Sequence, residues 1–461
     1  SITDCPHREK LGWLDVPNEM FNSLVYNYDM ENFFKKVVLD CFDAQYSNGR
    51  VPSTVPHFMS VYDDDPNWGG AAILVPYRSW KTYGDVTTMT KFYPQMKKLM
   101  DYYTSKTVNH IMPGSNYSVL SDWGQETAGV NPMVPGEFTI TTTYYYMLNA
   151  MAEIASFLGK DVDAKGFLTQ AQNTKKAFNE RFYKDGVYGY GQQSEFAMPL
   201  YYGLVDQENE ELVAAKLAER VKKDNYKIKT GEIGLKPLFM SLAKYGYNDI
   251  VYQMANQTDC PSYGYWVKQG YTTTPEYWDV GAFSQNHCMM DHIEEWFFSQ
   301  LGGIRNDGNG FDIVRIEPWI PEDMNHLDVT TRSIYGNIRC HYERGVDNEM
   351  NYTFEIPANS QANIVLPCLN HQSVFENGKD VKNGEKGVVS VEYKDGKAYL
   401  KMGSGNYTLQ IKKKEATGIQ EVNISRARLN DVYYDLEGRN HGKVRPSQKG
   451  IFIWNQKKVV L

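Results

Sequence analysis

The feature that most limits how this chain can fold is a change of hydrophobic period near residue 310. From about residue 14 to 305, apolar residues recur at three- and four-residue spacing, with polar, Gly- and Pro-rich loops between the runs. After Gly310 the runs are short and alternate with period two. A period near 3.6 buries one face of a helix and a period of two buries one face of a strand, so the halves cannot share one architecture. The first pattern predicts helices at 20–42, 70–84, 94–106, 141–159, 164–183, 209–224 and 288–303. The second predicts strands at 311–320, 327–334, 337–344, 350–357, 361–367, 387–393, 397–403 and 406–413, spaced as in a β-sandwich. Helices joined by loops of alternating length suggest a toroid whose functional loops gather at one end.

A boundary is expected in GGIRNDGNG (302–310), giving a helical domain at 1–305, a sandwich at 306–413 and an appended tail at 414–461. The 461 residues exceed what one core normally organises. Lys and Arg number 48 against 56 Asp and Glu, a formal charge of −8, which argues against a nucleic-acid partner because phosphate recognition calls for a basic surface. No run of about 18 apolar residues is present, so no membrane-spanning helix is expected. Six scattered cysteines without a CxxC pair read as buried thiols. Asp63, Asp64 and Asp65 lack the periodic ligand pattern of a calcium loop and read as a solvated turn. His287 and His292, five apart, do not share a helical face as zinc ligands would. The G-x-G strings lack the context of a nucleotide site, so no cofactor and no metal are expected.

Two segments carry candidate chemistry. In T-D-C-P-H-R-E-K-L-G-W-L-D (3–15), Asp4, Glu9 and Asp15 surround Trp13. Crowded in a cleft they would make an acid site; on chemistry alone the preferred reading is a solvated loop in which Arg8 and Lys10 pair with the acids. In Q-G-Y-T-T-T-P-E-Y-W-D (269–279), Glu276 lies among hydroxyls and aromatics that could orient a general base. One acid and one base on opposite faces of a sugar is the arrangement of a glycosidase.

The first of these segments resembles the D-C-P-x-R-x-x-L-G-W signature of glycoside hydrolase family 78, the α-L-rhamnosidases. Further similar segments follow in that family's order: P-N-W-G-G-A (66–71), S-D-W-G (121–124), T-G-E-I-G (230–234), P-S-Y-G-Y (261–265), G-Y-T-T-T-P-E-Y-W (270–278) and S-Q-N-H (284–287). The resemblance implies an α+β multidomain fold, an (α/α)6 barrel expected to have its N-terminal edge truncated in this chain, followed by an antiparallel β-sandwich and a short β tail. It implies Glu9 as general acid and Glu276 as general base. Substrate-binding roles are implied for Asp4, Arg8, Trp13, Asp15, Trp68, Asp122, Trp123, Trp278 and His287, and a rhamnose methyl would need an apolar wall from Trp68, Trp123, Trp266 or Trp278. Val16 stands where an Asp is common in the family, Gly70 likewise, and Pro275 where a Trp is common.

The expected reaction is inverting hydrolysis of terminal α-L-rhamnosides in plant or bacterial oligo- or polysaccharides. A glycan-binding protein without turnover, or another (α/α)6 enzyme, are the competing readings. Residues 432–461 resemble the C-terminal β-module of secreted Bacteroidetes proteins, which implies an exported parent ending at Leu461. The family usually carries β-domains ahead of this signature, which implies upstream domains in that parent.

Overall fold

The computed structural model describes residues 2–58, 62–114, 119–124, 134–279, 284–346, 349–413, 432–442, 446–447, 449–454 and 457–460. The chain divides into two compact units, Ser1–Lys412 and Lys413–Leu461. Within the first, the change of period becomes a change of core. One apolar cluster runs from Leu14 to Leu301 and a second from Ile304 to Ile411.

The helical part follows its amphipathic periods. Gly136–Phe157 and Asp161–Phe182 form the longest hairpin, closed by Phe138 against Phe178 and Phe182 at ring separations of 4.9 and 5.2 Å. Ala71–Tyr83 stops at Gly84, whose φ of 72° is the left-handed cap that a Cβ disfavours. Two expected helices differ. The run 20–42 is broken into Phe21–Asn27 and Glu31–Asp43, because Tyr28 turns extended in the polar stretch between them. The run 288–303 becomes a 3-10 turn at Cys288–Met290, a short helix Ile293–Trp296 and a π-turn Phe297–Leu301. Shorter helices, Gln193–Tyr202, Glu232–Lys244, Asn248–Asn256 and Tyr263–Lys268, complete the region.

A small hairpin, β1 (Tyr183–Lys184) and β2 (Val187–Tyr188), lies among the helices. The sandwich strands are β3 (Ile304–Asn306), β4 (Ile313–Ile316), β5 (His326–Ser333), β6 (Gly336–Arg344), β7 (Met350–Ile356), β8 (Gln361–Pro367), β9 (Gln372–Glu376), β10 (Lys379–Asp380), β11 (Val388–Lys394), β12 (Lys397–Met402) and β13 (Gly405–Lys413). They form a sheet in the order β10-β9-β13-β7-β6-β5 and a second in the order β11-β12-β8-β4-β3. All the pairings given for these sheets are antiparallel except β4 with β8, which run parallel. Strict alternation of burial along β7 turns Tyr352 and Phe354 inward, stacked at 5.7 Å.

Helices and sandwich meet through buried polar bonds as well as packing. The Tyr26 hydroxyl donates to the Ile304 carbonyl at 2.8 Å, the Thr331 hydroxyl donates to the Tyr26 carbonyl at 2.8 Å, and Tyr26 stacks on Phe298. The second unit, among its described residues, is a three-stranded antiparallel sheet of β14 (Tyr433–Asp435), β15 (Ile451–Trp454) and β16 (Lys457–Val460), with Tyr433 stacked on Trp454. Among the described residues no helix is long and apolar enough to cross a membrane.

Candidate active site

The N-terminal segment is shaped by its own polar groups. Asp4 closes it on itself: its N–H donates to the Leu11 carbonyl at 3.0 Å and its carboxylate accepts from the Leu11 N–H at 2.9 Å. The chain then pairs with 53–55, Leu14 N–H donating to Ser53 and Val55 N–H to Gly12, which fixes the Trp13 backbone beside Thr54. Helix Asp15–Glu19 starts immediately afterwards.

Two buried aspartates tie the aromatic walls in place. Asp65 caps Pro66–Gly69, which carries Trp68, by accepting from Asn67 N–H at 2.9 Å, and its other oxygen accepts from Leu120 and Ser121 N–H at 3.0 and 3.1 Å. Burial pushes Asp65 up to about 7, while those backbone donors pull it down. Asp63 is also fully buried, accepting from Ser53 N–H and facing Arg50 and His57. The expected solvated turn is therefore corrected at Asp63 and Asp65, which satisfy backbone donors in the interior, whereas Asp64 stays half exposed.

Asp122 does the same on the far wall. Its carboxylate accepts from the Ser194 hydroxyl at 2.5 Å, Gly231 N–H at 3.0 Å and Gly234 N–H at 2.7 Å. A Cβ at Gly231 would lie 2.2 Å from the Asp122 and Trp123 carbonyl oxygens, so only glycine permits this approach. Asp122 is a loop staple and not, as the resemblance implied, a residue facing substrate.

Between these walls lies a cavity of about 250 Å³, lined among the described residues by Glu9, Trp13, Asp15, Tyr62, Trp68, Leu120, Trp123, Glu232, Glu276, His287 and Met289. Clefts of about 680, 520 and 460 Å³ are larger, but Glu9 and Glu276 both line the smaller one. Arg8 joins the two. Its Nη1 donates to Glu9 at 2.9 Å, its Nη2 to Glu276 at 2.7 Å and its Nε to the Ser284 hydroxyl at 2.9 Å. Glu276 is held again by Ser284, whose N–H donates to its carboxylate at 3.1 Å and whose carbonyl accepts the Glu276 N–H at 2.9 Å. Glu276 is 5% exposed at its side chain and Glu9 32%, so one carboxylate is enclosed and the other reaches the opening.

Glu9 also accepts from the Trp13 indole N–H at 2.9 Å. Burial pushes Glu9 up, but the bonds from Trp13 and Asp4 and the charge of Arg8 outweigh it and hold Glu9 below the ordinary range. Asp4 moves the other way: burial raises it, and its hydrogen bond to Glu9 adds to the rise. The two carboxyls thus shift in opposite directions. His287 accepts the Met289 N–H on Nδ1 at 3.3 Å, which leaves the ring proton on Nε2, 3.9 Å from Asp4. Its burial pushes it down to about 4, against the pull of Glu276 and Glu9, so the ring is neutral near pH 7.

Of the residues expected at the site, Glu9, Trp13, Asp15, Trp68, Trp123, Glu276 and His287 line the cavity, and Arg8 and Asp4 bond to them. The solvated-loop reading of 3–15 is corrected at Asp4 and Asp15, which are buried. Trp278 and Trp266 are corrected as well. They stack on each other at 4.4 Å and 15° within the core, Trp266 Nε1 donating to the Trp278 carbonyl, and neither lines the cavity. Glu232 was not expected. Between two glycines at the start of an apolar run it reads as a helix-opening acid, and no spacing tells that it meets Asp15. Among the described residues no group of three or more His, Cys, Asp and Glu is placed to hold a metal.

Comparison with known proteins gives the same neighbourhood. The bacterial α-L-rhamnosidase six-hairpin glycosidase domain matches residues 1–301, and the bacterial α-L-rhamnosidase C-terminal domain matches 303–380. An α-L-rhamnosidase of Formosa agariphila is 28% identical over 446 residues, covering 89% of this chain and 46% of the relative. One of Streptomyces avermitilis is 25% identical and covers 89% and 39%. The structure of α-L-rhamnosidase from Dictyoglumus thermophilum superposes with a TM-score of 0.82 at 27% identity, over 89% of this chain and 47% of that one. The Streptomyces avermitilis α-L-rhamnosidase complexed with L-rhamnose shares the fold, with a TM-score of 0.80 at 24% identity over 89% and 39%. The chain spans about half the length, or less, of the curated relatives it matches.

Proposed function

The chain belongs to the bacterial α-L-rhamnosidase family, and from that premise we propose that it hydrolyses terminal α-L-rhamnosides of plant or bacterial glycans with inversion. The observation that carries this reading is the Arg8 bridge, which brings Glu9 and Glu276 to one cavity from opposite ends of the helical region. Glu276, enclosed and oriented by Ser284 N–H, takes the proton from the attacking water. Glu9, nearer the opening, gives its proton to the departing glycosidic oxygen. A cavity of about 250 Å³ with tryptophan walls accommodates one sugar ring and its methyl, which supports exo action. The helical region is read as an (α/α)6 barrel, supported by the six-hairpin family match.

Glu9 below its ordinary range is a poor acid until it is protonated. Its hydrogen bond from Asp4 and its contact with Arg8 both favour the charged form, and Glu9 takes up its proton before it acts on the glycosidic oxygen. The β-module likeness of the tail and the partial coverage of longer relatives support an exported parent with upstream β-domains.

A panel of aryl glycosides, including rhamnoside, glucoside and fucoside, tests the reading. Turnover of the rhamnoside with β-L-rhamnose appearing first by NMR is the expected result. Initial release of the α anomer would call for a nucleophile and a closer carboxylate pair. Binding without cleavage would leave a glycan-binding protein.

A further inference from the structure

Glu232 opens Glu232–Lys244 and Asp15 opens Asp15–Glu19, and the two helices pack so that their first residues meet at the deep end of the cavity. Both side chains line it, yet they are only 2% and 4% exposed. They share a hydrogen bond, and Asp15 Oδ1 is buried with no partner among the described residues. The groups facing them add no free cation. Asp4 from the N-terminal segment acts on Asp15, while Asp122 from the loop 119–124 and Glu19 from the first helix act on Glu232. His292 bonds to the Glu232 backbone and is held neutral by burial, down to about 3. Lys236, one turn along, faces Glu295 at 3.2 Å. Two carboxylates so enclosed cannot both be charged, and one proton bound between them relieves the repulsion.

We propose that Glu232 and Asp15 act as one carboxyl–carboxylate pair that binds two neighbouring hydroxyls of the sugar ring in the cavity. The protonated member donates to one hydroxyl and the ionised member accepts from the next, which a pair of ionised carboxylates could not do. Neither is the acid or base of the reaction, because the carboxylates tied to Arg8 are Glu9 and Glu276. The proposal rests on the glycosidase reading and gives it a specificity element. A sugar lacking one of the two hydroxyls would leave a buried polar group without a partner, the condition under which hydrogen-bonding sites discriminate most strongly.

The test pairs protein and ligand changes on the full chain, taking as substrate whichever aryl glycoside of the panel the wild type cleaves best, with 4-nitrophenyl α-L-rhamnoside expected. Wild type should lose about 10²-fold or more in kcat/KM on analogues deoxygenated at one or another ring hydroxyl. Glu232→Leu should raise KM on the parent glycoside at least about 10-fold, and should lose little further on the analogue that hurts wild type most. Glu232→Gln, close in shape and with an amide N–H that can still donate, serves if the leucine variant melts early, and should keep KM on the parent glycoside within a few-fold of wild type. Its KM should also stay flat across the pH range in which wild-type KM climbs. Equal losses on the analogues for wild type and the leucine variant, or a KM of the glutamine variant that climbs with pH as wild type does, overturn the pair while leaving the glycosidase reading intact. Cleavage of another glycoside but not the rhamnoside overturns the rhamnoside reading, and the analogue series on that sugar still decides the pair. No cleavage and no binding across the panel overturns both.

Discussion

The two cores of the first unit are built on opposite principles. Among the described residues, the sandwich from Ile304 onward buries as polar side chains only Thr331, Ser360 and Ser373, and no charged one. The helical region buries Asp4, Asp15, Glu19, Asp63, Asp65, Arg78, Asp85, Asp122, Glu195, Glu232, Lys236, Glu276 and Glu295. A buried charge costs several kcal/mol unless it is paired and hydrogen-bonded, so a core with none is specified by packing alone. The helical interior carries two kinds of charge. Asp65 and Asp122 are consumed by backbone donors and hold loops, whereas Glu276, Glu232 and Asp15 line a cavity. Between them and the sandwich, Arg78 bonds to Asn18, and Lys236 faces Glu295.

The sharpest way to break this comparison is Glu276→Gln. If the enclosed carboxylate activates water, kcat should fall about 10²–10⁴-fold or more on every substrate, since all of them need that step. The melting temperature should stay near that of the parent. Comparable turnover would remove Glu276 from the chemistry and class it with the loop-holding acids. Glu9→Gln should be more selective: a large loss on natural rhamnosides and a small one on aryl rhamnosides, whose leaving groups need little protonation. Equal losses on both contradict an acid role.

A substitution in the sandwich should show the reverse signature. Phe354 is fully buried in β7 and stacked on Tyr352. Phe354→Ala should therefore cost about 3–5 kcal/mol in denaturant unfolding, with KM unchanged wherever the variant is folded. A shift in KM without loss of stability would mean that the sandwich shapes the cavity.

The pair at the deep end responds to pH in a defined direction. Asp15 is pushed up to about 7 by burial, against the hydrogen bond from Glu232. A carboxyl raised on folding contributes stability that is fully present below its unfolded value of 3.8 and lost as pH rises through about 7. Asp15→Asn removes that dependence. Its melting temperature relative to the parent should therefore improve as pH is raised from about 4 to past 7, and a constant difference would show that Asp15 is ionised throughout. His287 and His292, both lowered, work the other way in the parent, since a buried neutral histidine loses stability as pH falls below 6.5. Taking the difference between variant and parent cancels them.

The contrast between the cores also explains what could be read from the sequence. Period and turn residues point to β4 to β8, β11 to β13 and most of the long helices, because burial of one face writes itself into spacing, but not to the short strands β3, β9 and β10 or to the helix Glu232–Lys244. Helix 20–42 was over-read because the polar Asn27–Tyr28–Asp29 step interrupts it without a Pro or Gly. Glu9 and Glu276 were legible through motifs. The proton-sharing of Asp15 with Glu232, the Asp122 staple and the Trp266–Trp278 stack were not, since each depends on contacts between residues far apart in the chain. An aspartate that caps a loop and one that meets a sugar look alike in one dimension. The parallel pairing of β4 with β8 was hidden for the same reason.

The smallest effect is expected from the second unit, and it tests how far the comparison extends. Residues 419–461 hold eight Lys and Arg against four Asp and Glu in a chain of net charge −8. The described part has three strands of three or four residues. So few short strands bury little apolar surface, and the contacts seen are of surface type: Tyr433 on Trp454, and Asp435 held by Arg439 and His441. None of the residues placed at the cavity lies beyond Met289. Deleting 419–461 should leave kcat/KM on an aryl rhamnoside within a few-fold of the parent and the melting temperature of the first unit nearly unchanged. Attractions between exposed charges are weak and screened by salt, so any effect of the deletion should be small and should shrink further as ionic strength rises. Loss of folding or of turnover would mean that the module completes the sandwich, and the division at residue 413 would then mark a change of density and not a boundary of function.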